Sequence, residues 1–426
     1  MGKSFNYLYD TSKTTASAFT VLILWLAVAQ SPAAAQERFR PSESAVVLSA
    51  SVHTANGRQN SLRALDKAWR DQPQSLSPSL AYARAVFTLG LTGGDLRWYG
   101  AAKAALKPWW TAADLPAEAY FLRGLVKQGF HEFQDGLQDL NRAIDAEPGR
   151  AEFWSWRFAL HLLLADMTAA QKDIDEIGRL FGEEEAGVYR AVLLYRTGQP
   201  LPAVDILSRA IRSVNYQDAS SQDWLGFHLG EAHLVSGQPA QALAVWGQRL
   251  KASPQSHLIR LSLADLLNQQ GQYRQAKNTA TATVTTANGS VQNSTGNMTD
   301  ALLMQAVLAS RGLKDTDESR LASQLEARLQ SQALRQEALI ERPKLIYQIA
   351  YGRDVKAGLA LSIDNWRLQK EPPDALLFVQ AALALGQARA AEPVVDWAEK
   401  TGYTDSRLRL LLAQLKAHPS WTGGRP

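Results

Sequence analysis

The sequence predicts an all-α fold, a right-handed α-solenoid built from antiparallel helix pairs. A Gly-Gln dipeptide recurs along the chain, apolar stripes with helical spacing flank it, and two copies, at Gly237 and Gly271, are 34 residues apart. A fixed period of this size is typical of helical repeat arrays, in which each unit packs on its neighbours. With 426 residues and 46% apolar side chains, the chain suits such an elongated array.

The recurring motif reads Gly-Gln, three variable residues and alanine. It begins at Gly198, Gly237, Gly271 and Gly386. Each glycine follows an apolar helical stripe, and glycine ends helices well because it accepts the left-handed backbone conformation. The alanine allows two antiparallel helices to approach closely. We therefore predict that each glycine lies in the turn between the helices of one pair.

The residues around this motif resemble the tetratricopeptide repeat. Segment 224–254 matches nearly the whole pattern of small, turn, large apolar and terminal residues: Gly230, Gly237, Ala242, Trp246 and Pro254. Five successive units of this kind cover about residues 117–284. The resemblance implies that the first helices of successive units line a concave surface, which takes peptides or protein segments.

The chain divides by composition into five parts. We expect a signal peptide at 1–35, an amino-terminal cap with degenerate helix pairs at 36–116, and the repeat array at 117–284. Residues 285–299 are small and polar without an apolar period, which predicts a flexible loop. Residues 300–426 read as helices that include degenerate repeat-like units.

The amino terminus has the pattern of a secretory signal. Lys3 and Lys13 precede an apolar run at 16–29, and small alanines follow a Ser-Pro break. This pattern predicts cleavage between Ala35 and Gln36. The run is shorter than the ~20 residues that a membrane span requires. We expect a periplasmic or secreted mature protein that retains no membrane span.

Composition and motifs argue against several classes of function. The chain has no cysteine, and its 45 basic and 41 acidic residues are spread evenly, which predicts no nucleic-acid partner. No phosphate loop, dinucleotide motif or nucleophile elbow is present. His228 and His233 are five residues apart, so they lie on different faces of a helix. We predict a protein without a catalytic site, a metal or a cofactor.

The expected groove has candidate binding residues on three consecutive first helices. Trp224, Phe227 and Glu231 share one helical stripe, and the aromatic pair would anchor a partner. The acidic and amide members would orient a basic or amide-rich segment. The same spacing also fits burial of the aromatic rings by neighbouring helices. The complete candidate set is Tyr195, Arg196, Trp224, Phe227, Glu231, Asp265 and Asn268.

We therefore predict that the protein is a scaffold or adaptor for an unidentified protein or peptide partner in the bacterial envelope. Two alternatives stay open. A glycan-binding solenoid of polysaccharide export is favoured by the aromatic pairs Trp98-Tyr99 and Trp109-Trp110. An α/α-toroid enzyme would need paired acids facing a cleft, and no such pair is evident in the sequence.

Overall fold

The computed structural model describes residues 55–93, 97–282, 284–285, 291–292, 298–334 and 342–422. The expected signal segment, with its cleavage site at Ala35 and Gln36, lies outside these residues. None of the described helices combines the length and the apolar composition needed to cross a membrane.

Helices make up most of the described chain. Three precede the repeat array: α1 (Ala55–Asp71), α2 (Leu76–Gly93) and α3 (Arg97–Leu106). The array contains α4 (Ala117–Gly129), α5 (Phe133–Ala146), α6 (Ala151–Leu163), α7 (Met167–Phe181), α8 (Glu183–Arg196), α9 (Pro200–Ala210), α10 (Ala219–Val235), α11 (Pro239–Ala252), α12 (His257–Gln269) and α13 (Tyr273–Thr281).

A second set of helices comes after the array. These are α14 (Asp300–Leu313), α15 (Asp317–Leu334), α16 (Arg342–Ile349), α17 (Val355–Leu368), α18 (Pro372–Ala384), α19 (Glu392–Thr401), α20 (Ser406–Ala417) and α21 (Pro419–Thr422). Short 3-10 turns lie at Lys107–Trp109, Val214–Tyr216 and Ala388–Ala391. We call α16–α21, with the loops between them, the C-terminal set.

Consecutive helices pack on each other throughout the array. The closest pairs include α4 with α5, α6 with α7, α8 with α9 and α10 with α11, and each second helix also contacts the next first helix. The short connections make the partners of each pair antiparallel. The predicted α-solenoid of antiparallel helix pairs is confirmed.

The turn glycines behave as the repeat motif predicts. Gly198, Gly237, Gly271 and Gly386 have φ angles of 81°, 79°, 72° and 64°. Each lies in the left-handed region, just beyond the first helix of its pair, where a side chain would be strained. The predicted helix ends are therefore confirmed at all four positions.

The small residues of the motif permit close helix contact. Ala242 and Ala276 are completely buried. A Cβ on Gly230 would overlap the indole of Trp246, whose ring N–H donates to the carbonyl of Phe227 at 3.2 Å. The glycine on α10 thus makes room for the tryptophan on α11, as the repeat pattern implies.

Three apolar clusters hold the described helices together, and the smallest joins Leu267, Ala276 and Ala309 of α12, α13 and α14. The largest core joins residues of α1–α12 to residues of α16–α20. A separate core joins α12, α13, α14 and α15, with Tyr347 of α16. The C-terminal set therefore shares the largest core with helices α1–α12. Helices α13, α14 and α15 contribute to the separate core instead.

A short antiparallel sheet comes after α13. Strand β1 (Val284–Thr285) pairs with β2 (Val291–Gln292), with Val284 opposite Gln292. The prediction of a wholly flexible loop at 285–299 did not include this pairing. The sequence did hold a signal for it, since Asn288-Gly289 is a dipeptide typical of hairpin turns between β-branched residues.

Candidate binding groove

The first helices of successive pairs are α4, α6, α8, α10 and α12, and the carboxyl-terminal ends of α6, α8 and α12 contact the C-terminal set. The backbone N–H of Lys370 donates to the carbonyl of Leu163, the last residue of α6, at 2.9 Å. Arg407 of α20 donates to Gln269 Oε1 at the end of α12, at 2.8 Å. These helix ends are therefore covered in part by the chain's own later helices.

Glu231 of α10 lies where these elements converge. Its side chain is half-buried, and burial raises the pKa of its carboxyl to about 7. Arg407 and Arg196 lower that pKa through their charges, whereas Asp405 and Asp265 raise it. Residues of α8, α10, α12 and α20 thus surround one carboxyl group.

Asp265 provides a second carboxyl group in the same region. Burial raises its pKa, and the charge of Arg407 opposes that shift. It accepts hydrogen bonds from Gln305 Nε2 at 3.0 Å and from Gln269 Nε2 at 2.6 Å. Gln305 also accepts two hydrogen bonds from the buried Asn268 Nδ2, at 2.8 and 2.9 Å. Asn268 therefore joins α12 to α14.

Tyr195 and Arg196, at the end of α8, are buried at 3% and 4% exposure and contact α10 and the C-terminal set. The Tyr195 hydroxyl lies 2.7 Å from Nδ1 of His228, and burial raises the pKa of the tyrosine and lowers that of the histidine. Arg196 pairs with Glu371 of the loop before α18 at 3.5 Å and donates to the carbonyl of Lys370 at 3.4 Å. Arg196 thus holds the C-terminal set against the array.

The two predicted aromatic anchors do not face the groove. Trp224 is 3% exposed and Phe227 is fully buried. The Trp224 ring lies 4.5 Å from His228 and 5.7 Å from Tyr189, and Phe227 stacks on Trp246 at 6.4 Å. Both rings pack between helices, because α10 is flanked by α8, α9, α11 and α12. The prediction that these rings anchor a partner is therefore wrong.

Several charged residues near the groove were not predicted from the sequence, and all of them belong to the C-terminal set. Arg342 donates to Asp374 at 2.8 Å and to Glu371 at 2.8 Å. Arg407 pairs with the buried Asp405 at 2.5 Å. No local motif predicts the contacts of Glu371 and Arg407 with the array, because Arg196 and Gln269 lie 175 (371 − 196) and 138 positions earlier.

The ratio of arginine to carboxyl groups differs between the groove and the amino-terminal end of the array, near α2, α4 and α6. At that end, Arg84 and Arg150 each pair with both Glu118 and Glu152, at 2.5–3.2 Å, so each of these carboxyl groups meets two guanidinium groups. Among the described residues of the groove, three arginines meet five carboxyl groups: Arg196, Arg342 and Arg407 with Glu231, Asp265, Glu371, Asp374 and Asp405. The groove therefore has an excess of acid.

The aromatic pairs outside the groove are largely packed. Tyr99 is buried and stacks on Phe87 with a centroid distance of 4.9 Å. The ammonium group of Lys103 lies 4.8 Å from the ring of Trp110. Trp98 and Trp109 are half-buried. Of the four rings, only that of Tyr99 is buried, and the three tryptophans keep partial exposure.

No group of three or more histidines and carboxylates in the described residues is arranged to hold a metal ion. His228 bonds to Tyr195, and His233 Nδ1 lies 3.0 Å from Gln238 Oε1. The two histidines thus engage different partners, in agreement with their spacing.

Comparison with known proteins found no matching family model and no matching curated protein. Among solved structures, the human IFIT1 dimer with m7Gppp-AAAA has 9% identity and a TM-score of 0.42, covering 85% of this chain and 86% of that chain. The same protein with PPP-AAAA has 10% identity and a TM-score of 0.42, with 85% and 87% coverage. The P58(IPK) TPR domain has 15% identity and a TM-score of 0.20, with 87% and 96% coverage. These values transfer no ligand to the present chain.

Proposed function

We propose that this protein is a non-enzymatic scaffold of the bacterial envelope, and that its groove holds a basic segment of a partner protein. The observation that carries the proposal is the acid excess around Glu231 and Asp265. The basic neighbours already have acidic partners, since Arg407 pairs with Asp405 and Arg196 with Glu371. A lysine or arginine of a partner would supply a positive charge for the carboxyl groups of Glu231 and Asp265.

The half-buried position of both carboxyl groups strengthens this argument. Burial raises their pKa values because ionisation without a close counterion is costly in a poorly solvated site. A cationic group would favour the ionised forms and gain charge-assisted hydrogen bonds. A nucleic-acid partner is disfavoured, since phosphates would meet carboxylates here.

The proposed location rests on the amino-terminal pattern. The short apolar run and the alanines before Gln36 support export and cleavage by signal peptidase. Intact-mass measurement of the protein from its native host tests this proposal. A mature chain beginning at Gln36 is expected, and a full-length membrane-held species would overturn it.

Peptide binding tests the groove. A fluorescent peptide of alternating lysine and glycine is expected to bind, and a length-matched glutamate-glycine peptide is not. The double variant Glu231→Gln, Asp265→Asn should weaken lysine-peptide binding by about tenfold or more, the loss expected for charge-assisted contacts. Glu399→Gln, which changes an exposed carboxyl on α19, is the matched control. Equal binding of both peptides, or unchanged affinity in the double variant, would overturn the proposal.

One observation favours an enzyme as the second candidate. Glu231 and Asp265 are two half-buried carboxyl groups with raised pKa values, and they interact electrostatically, an arrangement that acid–base catalysis also uses. Incubation with soluble polysaccharides separates the candidates. Bond cleavage that is lost in both Glu231→Gln and Asp265→Asn would favour the enzyme, and binding without cleavage would favour the glycan-binding alternative.

A further inference from the structure

The C-terminal set contacts the array at positions distant in sequence. The contacts run from the ends of the first helices to two loops and one helix start: Leu163 to Lys370, Arg196 to Glu371, Gly198 to Gly402, and Gln269 to Arg407. We propose that these contacts form a latch that closes the solenoid on itself and controls access to the carboxyl groups of the groove.

One part of the latch caps α6. The last carbonyl groups of a helix have no partner within the helix. Leu163 is the final residue of α6, and its carbonyl accepts the N–H of Lys370. A loop of the C-terminal set therefore donates the hydrogen bond to a helix-end carbonyl that would otherwise bind water. This carbonyl can be hydrogen-bonded to Lys370 when the latch is closed and to water when it is open.

Another part of the latch is a backbone contact between two turns. Gly198 joins α8 to α9, and Gly402 ends α19. A Cβ on Gly198 would overlap the carbonyl oxygen of Gly402, and a Cβ on Gly402 would lie 3.3 Å from the carbonyl oxygen of Thr197. The two turns meet at a distance that only glycine at position 198 permits.

These contacts are additional to the repeat packing. In a solenoid, each unit is stabilised by its sequence neighbours, and curvature arises from a small rotation at each unit. The latch joins units that are not neighbours. Loss of the latch would leave the neighbour contacts in place, and small changes in rotation along the array would separate the two ends together with the apolar contacts that they share.

The latch also brings Arg407 into the groove. Its charge lowers the pKa of both Glu231 and Asp265, while its own ion pair is with Asp405. It therefore acts as a partial internal substitute for a cationic ligand. Opening of the latch would remove this charge and leave the two carboxyl groups to an external cation. This role of Arg407 rests on the proposed function, whereas the closure itself does not.

Distance measurements test the closure without any ligand. The chain has no native cysteine, so Leu201→Cys and Leu410→Cys, at sites 62% and 65% exposed on α9 and α20, can carry spin labels. Gly198→Ala in this labelled chain should shift the inter-label distance to longer values. Gly237→Ala is the matched control, because its φ of 79° is close to the 81° of Gly198 and a Cβ there would meet nothing within 4 Å.

A milder pair of variants covers the case in which Gly198→Ala does not fold. In Gly402→Ala, the new Cβ would lie 3.3 Å from the carbonyl oxygen of Thr197, which is a close contact rather than an overlap. Gly352→Ala is its control, because Gly352 has a similar φ and a Cβ there would meet nothing within 4 Å. A longer distance in either latch variant, with an unchanged distance in its control, supports the latch. Equal distances in folded latch and control variants would overturn it, whatever the result of peptide binding.

Discussion

Segment 224–254 and the C-terminal set differ in how their sequences relate to their contacts. In the first, Gly230, Ala242 and Trp246 fit together within one helix pair, and the spacing of the residues encodes the packing. In the second, Arg407 meets Gln269, 138 positions away. The difference shows that a repeat motif specifies contacts between sequence neighbours. The charged residues that the C-terminal set adds to the groove are brought there by contacts that no repeat encodes.

The largest expected effect tests whether the C-terminal set is as firmly held as the array. Arg342→Gln leaves the buried Glu371 and Asp374 without their shared guanidinium group. Breaking a fully buried ion pair costs about 3–5 kcal/mol, and we expect about 2–4 kcal/mol here, because Arg342 is 31% exposed and Glu371 keeps its contact with Arg196. Urea denaturation would measure the change. The exposed Arg367→Gln, whose partner Asp364 is also exposed, serves as the control and should change little.

An Arg342→Gln variant as stable as the control would show that water and the remaining partners, Arg196 for Glu371 and Gln369 for Asp374, are sufficient for these carboxyl groups. The C-terminal set would then be loosely attached, and the contrast with the array would be one of stability as well as of sequence pattern.

The second prediction concerns the neighbour packing of the array. Ala242→Leu should destabilise the protein by about 1–3 kcal/mol, because a larger side chain must be inserted between two closely packed helices. Thermal and urea denaturation would measure the loss. Ala240→Leu, two residues earlier at an exposed site, is the matched control. Equal losses at both sites would contradict the repeat phase.

The third prediction uses pH to compare groove and array. The pKa of Glu231 is about 7 in the folded protein and 4.5 in the reference state, so the folded state binds the proton more tightly. The resulting stabilisation is complete below pH 4.5 and is lost as the pH rises through 7. It amounts to roughly 1–3 kcal/mol after allowance for partial exposure.

Glu231→Gln should remove this dependence. The test is the difference in unfolding free energy between wild type and variant, measured at pH 5 and at pH 8. Asp173, with a pKa raised to about 6, and His161, with one lowered to about 4, titrate in both proteins and cancel in the difference. A difference that is constant with pH would mean that Glu231 is well solvated.

The smallest expected effect concerns the polar segment between array and C-terminal helices. Shortening 293–297 should change the unfolding free energy by less than about 1 kcal/mol, because loop length enters the closure entropy logarithmically. Circular dichroism melting would measure the change. A loss comparable to that of Ala242→Leu would mean that the segment is packed.

The sequence was sufficient to predict the helix pairs because apolar spacing, turn glycines and small residues are local signals. It also predicted one binding surface for Glu231, Asp265, Tyr195 and Arg196, of which Tyr195 and Arg196 are buried. It did not separate Trp224 and Phe227 from these, since a ring facing a groove and a ring facing a neighbouring helix have the same spacing. Nor did it predict Arg407, since the curvature that brings α20 to the groove is a sum of small rotations along the whole array.

The hydrogen bond from Lys370 to Leu163 has a consequence for folding kinetics. It spans 207 positions (370 − 163), whereas the helix pairs form from contacts tens of residues apart. Local contacts form quickly and distant ones slowly, because a long chain segment must be ordered first. The array should therefore assemble before the closure forms. Amide protons at the closure should exchange through a smaller opening free energy than those of the buried helices, as the last element to form is the first to open.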